Sequence, residues 1–204
     1  GPKNIGEKIS DITIKEGNKF NYLSIKDIKG RNFYSGGTIP FIVQDKEGSI
    51  SYDESKRSSK PQLDRLFKDL GIDPNKIAEG LKQYKKEGES SQYQTAIKKQ
   101  GDKSQNLEDF KKFLASGYGY GYWYVRKKAK GELFVKFLAT EQDAMDMIGN
   151  ISEVQIKYPG PNTKTTTIKV ITDDKSILDT DYIIELRNDD KAIIPISLKM
   201  KSTK

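Results

Sequence analysis

The chain has 204 residues and contains neither cysteine nor histidine. Without cysteine it forms no disulfide, thiolate metal site or thiol nucleophile. Without histidine, Ser-His-Asp triads, imidazole zinc sites and nucleases built on a histidine base are excluded too. Chemistry by these residues would fall to carboxylates, Lys, Ser, Tyr or a metal held by oxygen, with no zinc and no nucleotide cofactor expected. Tryptophan occurs once, as Trp123. No apolar run approaches the ~18 residues of a membrane span and no signal-peptide pattern is evident. A cytoplasmic location without a membrane partner is therefore expected. Gly1-Pro2 reads as the scar of a cleaved expression tag, which leaves open whether the native chain extends upstream of Lys3.

The apolar residues that remain suffice for a core. Hydrophobic residues make up 34% of the chain, with 11 Tyr and 8 Phe spread along it, which excludes disorder throughout. Lys+Arg exceeds Asp+Glu by 36 to 29, a formal charge of +7. That surplus favours polyanions as partners, nucleic acid first.

Alternation and turn chemistry predict strands at Asp11–Lys15, Phe20–Lys26 and Thr38–Gln44. A polar connector follows at 51–60. Helical spacing of Leu63, Leu66, Phe67 and Leu70 runs from Pro61 to Gly71. Asp73-Pro74 caps a second helix carrying Ile77, Leu81 and Tyr84. A polar stretch at 86–105 reads as an exposed connection, with room for a short helix. Asn106 opens a third helix carrying Leu107, Phe110, Phe113 and Leu114, and Gly117 stops it. Strands are predicted at Tyr120–Lys127, Glu132–Leu138, Ser152–Lys157, Thr165–Ile171, Asp181–Arg187 and Ala192–Met200. A short helix at Thr140–Ile148 interrupts them, with Thr140 as N-cap and Asp143 at N3. The order describes one α+β domain over 3–204: a mixed β-sheet whose N-terminal and C-terminal strands flank a central helical segment, with a soft joint at 86–105.

The first candidate site is the hairpin Ser10-Asp11-Ile-Thr-Ile-Lys-Glu-Gly-Asn-Lys-Phe-Asn-Tyr-Leu-Ser24-Ile-Lys26. Ser24 and Lys26 share a strand face, and in a suitable register Asp11 reaches it from the neighbouring strand. A carboxylate holding Mg²⁺ beside a lysine that orients water is a histidine-free route to phosphodiester cleavage. This hairpin resembles the PD-(D/E)XK nuclease superfamily in a Ser-x-Lys variant. The resemblance implies Asp11 as the Mg²⁺ or Mn²⁺ ligand, Lys26 as the catalytic lysine, and Ser24 in the position usually held by an acid. Glu7 or Asp27 would then have to complete the site. Lys8-Ile-Ser-Asp-Ile, Tyr22-Leu-Ser-Ile-Lys, Leu70-Gly-Ile-Asp-Pro-Asn-Lys, Gly119-Tyr-Gly-Tyr-Trp-Tyr-Val and Glu185-Leu-Arg-Asn also resemble, in this order, a protein family of large tailed bacteriophages. That implies a viral protein made in the bacterial cytoplasm and implies no reaction.

Two further features compete with the hairpin. Asp181-Tyr-Ile-Ile-Glu185-Leu-Arg187 followed by Ile194-Pro-Ile-Ser197-Leu-Lys199 repeats the acid, hairpin and Ser-x-Lys pattern. The reading preferred for it is a structural hairpin. Gly117-Tyr-Gly-Tyr-Gly-Tyr-Trp-Tyr-Val-Arg-Lys-Lys-Ala-Lys130 interleaves aromatics with glycine and ends in cations, as single-strand nucleic-acid grips do. Its candidate contacts are Tyr120, Tyr122, Trp123, Tyr124, Arg126, Lys127, Lys128 and Lys130. A core strand, with glycines where chains approach closely, explains the same residues.

The first expectation is thus a metal-dependent nuclease acting on DNA. The second is a non-catalytic factor that binds nucleic acid or a host protein through strand 118–130. A virion or assembly component is the third.

Overall fold

The computed structural model describes residues 1–27, 32–39, 42–44, 46–47, 50–52, 61–84, 94–97, 107–128, 130–173, 181–188 and 196–202. Twelve strands and five helices lie among them, in an α+β arrangement.

The first sheet has four strands: β1 (Ile12–Glu16), β2 (Lys19–Lys26), β7 (Tyr122–Lys127) and β8 (Leu133–Leu138), in the order β1-β2-β7-β8. Gly17, at φ 60°, lies in the two-residue turn that joins β1 to β2. β2 runs parallel to β7, while the outer pairs are antiparallel, so this sheet is mixed. A parallel pair needs a crossover, and the helical middle of the chain lies within the segment joining β2 to β7.

The second sheet has six strands. They are β3 (Asn32–Ile39), β6 (Gln94–Ile97), β9 (Ile151–Lys157), β10 (Thr165–Thr172), β11 (Tyr182–Asn188) and β12 (Ile196–Ser202), in the order β3-β12-β11-β10-β9-β6. All its pairings are antiparallel. The C-terminal Ser-x-Lys segment is strand β12 of this sheet, with Lys199 opposite Glu185. A separate pair joins β4 (Ile42–Gln44) and β5 (Ile50–Tyr52).

The helices are α1 (Gly6–Ile9), α2 (Pro61–Leu70), α3 (Pro74–Gln83), α4 (Leu107–Ala115) and α5 (Glu141–Ile148). Their ends follow the local chemistry. Gly71, at φ 61°, closes α2, and the Ile72 N–H returns to the Phe67 carbonyl at 2.9 Å. The Asp73 side chain accepts the Asn75 N–H at the start of α3, with Pro74 in the first turn. Thr140 and Asp143 form a reciprocal capping box on α5.

One buried cluster joins the helices to both sheets. Leu66, Phe67, Ile77, Phe110, Leu114 and Ile148 from the helices meet Tyr122, Tyr124 and Leu138 of the first sheet and Val154, Ile168 and Ile184 of the second. Strand β10 alternates half-buried and buried residues along its whole length, so only one of its faces is core. Across β9, β10 and β11 the half-buried face is mostly polar, with Thr167 beside Lys157 and Glu185, and Lys169 beside Gln155.

Three expectations are corrected. Thr38–Gln44 is not one strand: β3 ends at Ile39 and β4 begins at Ile42. The stretch 86–105 contains strand β6, which pairs with β9; its flanks lie outside the described residues, as do most of connector 51–60 and the Asn106 cap. Tyr120 precedes β7, which begins at Tyr122 because Gly119 (φ 62°) and Gly121 (φ 90°) turn the chain there. Among the described residues no helix is long and apolar enough to cross a membrane.

Candidate functional site

The four-stranded sheet carries most of the residues singled out in the two main motifs, divided between its faces, with Asp11, Tyr120, Lys128 and Lys130 just beyond its strand ends. Register fixes the division, because paired residues project to the same side.

The inner face carries the nuclease-like residues. The Ile12–Leu23 pairing sets Asp11 opposite Ser24, and the Asp11 N–H donates to the Leu23 carbonyl at 2.8 Å. The Asp11 Oδ2 accepts the Ile25 N–H at 2.6 Å and the Ser24 hydroxyl at 3.4 Å. The alternation that joined Asp11, Ser24 and Lys26 thus describes one real neighbourhood. Its chemistry is limited, however. Ser24 has no exposed surface, Asp11 is exposed, and Lys26 is half-buried.

The donor set does not suit Mg²⁺, which needs near-octahedral oxygen ligands. It offers one carboxylate, already bound through Oδ2 to the β2 backbone, and one sealed hydroxyl. Glu7 lies on α1 and Asp27 just past β2, both exposed. Among the described residues no group of three or more acids gathers to hold a cation. The geometry instead makes Asp11 a clasp between β1 and β2. Asp11→Ala is expected to cost about 1 kcal/mol by orphaning the Ile25 N–H, measured by denaturant unfolding, and to leave the far-UV spectrum unchanged.

Tyr122 and Tyr124 lie on the same inner face, and Tyr118 and Tyr182 join them in the core. Tyr118, Tyr122, Tyr124 and Tyr182 are all buried. The Tyr118 and Tyr182 hydroxyls are 2.7 Å apart, and the Tyr122 hydroxyl donates to the Tyr118 carbonyl at 2.8 Å. Burial raises all four phenol pKa values. At Tyr124 the Arg126 guanidinium opposes the rise without cancelling it.

Arg126 is only 4% exposed. Tyr122, Tyr124 and Arg126 therefore do not present themselves to nucleic acid, since their strand positions face the core. Tyr120 is half-buried. Trp123, Lys127, Lys128 and Lys130 do reach the surface: Lys128 is half-buried, and the other three are exposed.

The outer face of the same sheet is where the sequence reading fell short. β1 contributes Ile12 and Ile14, and β2 contributes Leu23 and Ile25 together with the half-buried Asn21 opposite Ile14. β7 adds Trp123 and Val125, and β8 adds Leu133, Val135 and Phe137. The registers Leu23–Trp123–Phe137 and Ile25–Val125–Val135 align them across the sheet. Of the nine apolar residues, Leu23 and Val125 are half-buried; the other seven are between 38% and 64% exposed. Trp123 and Phe137 form a ring pair with centroids 5.1 Å apart. Charge is confined to the ends, with Glu16 and Lys19 near the hairpin tip and Lys127 at the opposite end.

The sequence did contain a signal for this face. Tyr-Trp-Tyr-Val in β7 and Leu-Phe-Val-Lys-Phe-Leu in β8 are apolar on both faces except at Lys136, close to the pattern of strands covered on both sides.

A shallow pocket between α2 and α4 is lined in part by Lys3, Arg65, Asp69, Asp109 and Lys112. Arg65 is paired with Asp109 there. Burial raises the Asp69 pKa, and Arg65 opposes the rise. Comparison with known protein families, with curated proteins and with solved structures found no match.

Proposed function

We propose that this chain is a non-catalytic binding protein whose working surface is the outer face of the four-stranded sheet. One observation carries the reading: nine apolar side chains from four strands lie side by side on a face left open to water, while the half-buried face of β9, β10 and β11 is mostly polar. An apolar patch of this extent on a single chain marks an interaction site.

A protein suits the face better than nucleic acid. Single strands are held by aromatics interleaved with cations. Here seven of the nine residues are aliphatic, and the nearest basic side chains stand at the ends of the strands. The phage resemblance supports the cytoplasm of an infected bacterium as the compartment.

A second reading, the metal-dependent nuclease, is favoured by the single neighbourhood of Asp11, Ser24 and Lys26 on the inner face. One experiment separates the two. Single- and double-stranded DNA and RNA are incubated with wild type and Lys26→Ala, in Mg²⁺, Mn²⁺ or EDTA. The expected result is no metal-dependent cleavage by either protein. Cleavage by wild type that disappears in Lys26→Ala would overturn the binding reading. A salt-sensitive mobility shift in the same lanes would move the partner from protein to nucleic acid.

A further inference from the structure

We infer that the partner on this face is a second copy of the same chain, the two four-stranded sheets packing face to face about a two-fold axis. The inference rests on the binding reading above and names its partner.

Area is the first argument. Taking about 150–250 Å² for each aromatic side chain and a value toward the lower end for each aliphatic one, the exposed fractions of the seven residues sum to roughly 600 Å² of apolar surface. That is the upper end of what a monomer ordinarily shows, and most of the ~800 Å² that each partner contributes to a standard stable interface. The surface belongs almost wholly to side chains of the kind that fill protein cores. It matches the apolar centre of a homodimer interface better than the polar surface of a transient contact.

Shape and charge agree with this. Two sheets stack with their strands nearly aligned and about 10 Å apart, their inner faces interdigitating. A face built from alternate residues of four neighbouring strands offers that geometry to its own copy. A symmetric pair also brings each residue type against itself or its neighbours, so a central charge would be penalised twice. Among the described residues the centre of this face carries none: Glu16, Lys19 and Lys127 all lie at strand ends. The +7 charge of the chain is thus kept off the contact.

Both aromatics of the face would be sealed in the pairing. One of them, Trp123, is the only tryptophan in the chain. It is 38% exposed in the single chain, so its fluorescence reports directly on whether the face is covered.

The test combines light scattering across a dilution series with Trp123 emission and acrylamide quenching, on the full chain and on Ile25→Lys and Val135→Lys. Both substituted positions are about half exposed in the single chain, and circular dichroism checks each variant for folding. Two variants on different strands keep the test valid if one of them fails to fold. Wild type is expected at twice the 23.1 kDa chain mass, with shielded Trp123 emission that shifts to the red on dilution. Each lysine, trapped against apolar groups, is expected to weaken pairing at least about a hundredfold and to give a monomer with quenchable Trp123.

A wild-type monomer with quenchable Trp123 would overturn the dimer and leave the open face for another protein. A monomer with shielded Trp123 would overturn both the dimer and the reading on which it rests. A dimer unaffected by either lysine would pair through some other surface and would also overturn the inference.

Discussion

Above pH 10 the protein is expected to unfold in a single steep step driven by Tyr118, Tyr122, Tyr124 and Tyr182. Each is buried, and burial is the main reason its phenol holds its proton above the ordinary pKa. The unfolded chain releases those protons near pH 10, whereas the native state keeps them. The native state therefore binds more protons than the unfolded state, and stability falls as pH rises. Below pH 10 both states are protonated and the full contribution is present. Each tyrosine steepens the loss by about 1.4 kcal/mol per pH unit until its own native pKa is reached. A domain with an ordinary stability of about 5–15 kcal/mol would be unfolded within a few pH units.

Tyrosinate absorbance and far-UV circular dichroism, followed together, check this. Tyr118, Tyr122, Tyr124 and Tyr182 should ionise together as the dichroism collapses. A smooth titration of these four in a folded protein would mean that water reaches the inner face. That outcome would also reopen the inner face as a site for chemistry, because Ser24 and Arg126 are buried alongside the same tyrosines.

How much of this was legible in the sequence depended on range. Contacts between chain neighbours could be read directly. The β1–β2 hairpin, the caps at Asp73 and Thr140, and Asp11 opposite Ser24 all follow from spacing and turn chemistry within about fifteen residues. The parallel pairing of β2 with β7 could not be read, because it joins segments about a hundred residues apart. That pairing makes β2 an inner strand of the sheet and helps to seal Ser24, so a plausible catalytic hydroxyl became an interior one. Strand β6 was missed for a related reason: Gln94–Ile97 is polar enough to look like a connector, and only its pairing with β9 makes it a strand.

The aromatic-basic run shows how far alternation carries. The period of two sets Tyr122 and Tyr124 opposite Trp123 and Val125, and the structure makes the tyrosine face, with Arg126, the buried one and leaves Trp123 and Lys127 in solvent. Alternation alone does not say which face is core. Tyr118 is buried too, but it comes before the strand.

The glycine-rich turn before β7 leads to the second large prediction: Gly121→Ala is expected to lower the melting temperature by roughly 10 °C. Gly121 has φ 90°, which an L-residue adopts only under strain, at about 1–3 kcal/mol. A methyl group there would also run into the Asn4 side chain, while one at Gly6 would land on the Gly121 carbonyl. Residues 3–5 lie against this turn. The Tyr120 N–H donates to the Lys3 carbonyl at 2.9 Å, and the Ile5 N–H donates to the Tyr120 carbonyl at 3.0 Å. The Asn4 amide meets that methyl group with the end of its side chain, so moving it aside adds about 1 kcal/mol. The combined loss is about 3 kcal/mol, and in a chain of this length each kcal/mol is worth about 2–4 °C.

Gly131→Ala isolates the backbone share. Gly131 has φ 80°, but open space surrounds the position its methyl group would occupy. Its alanine should therefore show the strain alone, about 1–2 kcal/mol. Gly6→Ala should show the collision without the strained φ, because Gly6 begins helix α1. If Gly121→Ala melted no lower than Gly131→Ala, residues 3–5 would not be packed on the turn. The glycines between the tyrosines would then be free to serve a stacking surface, as the sequence pattern first suggested. A deficit in Gly6→Ala would show that Gly6 is there to let the chain meet the Gly121 carbonyl.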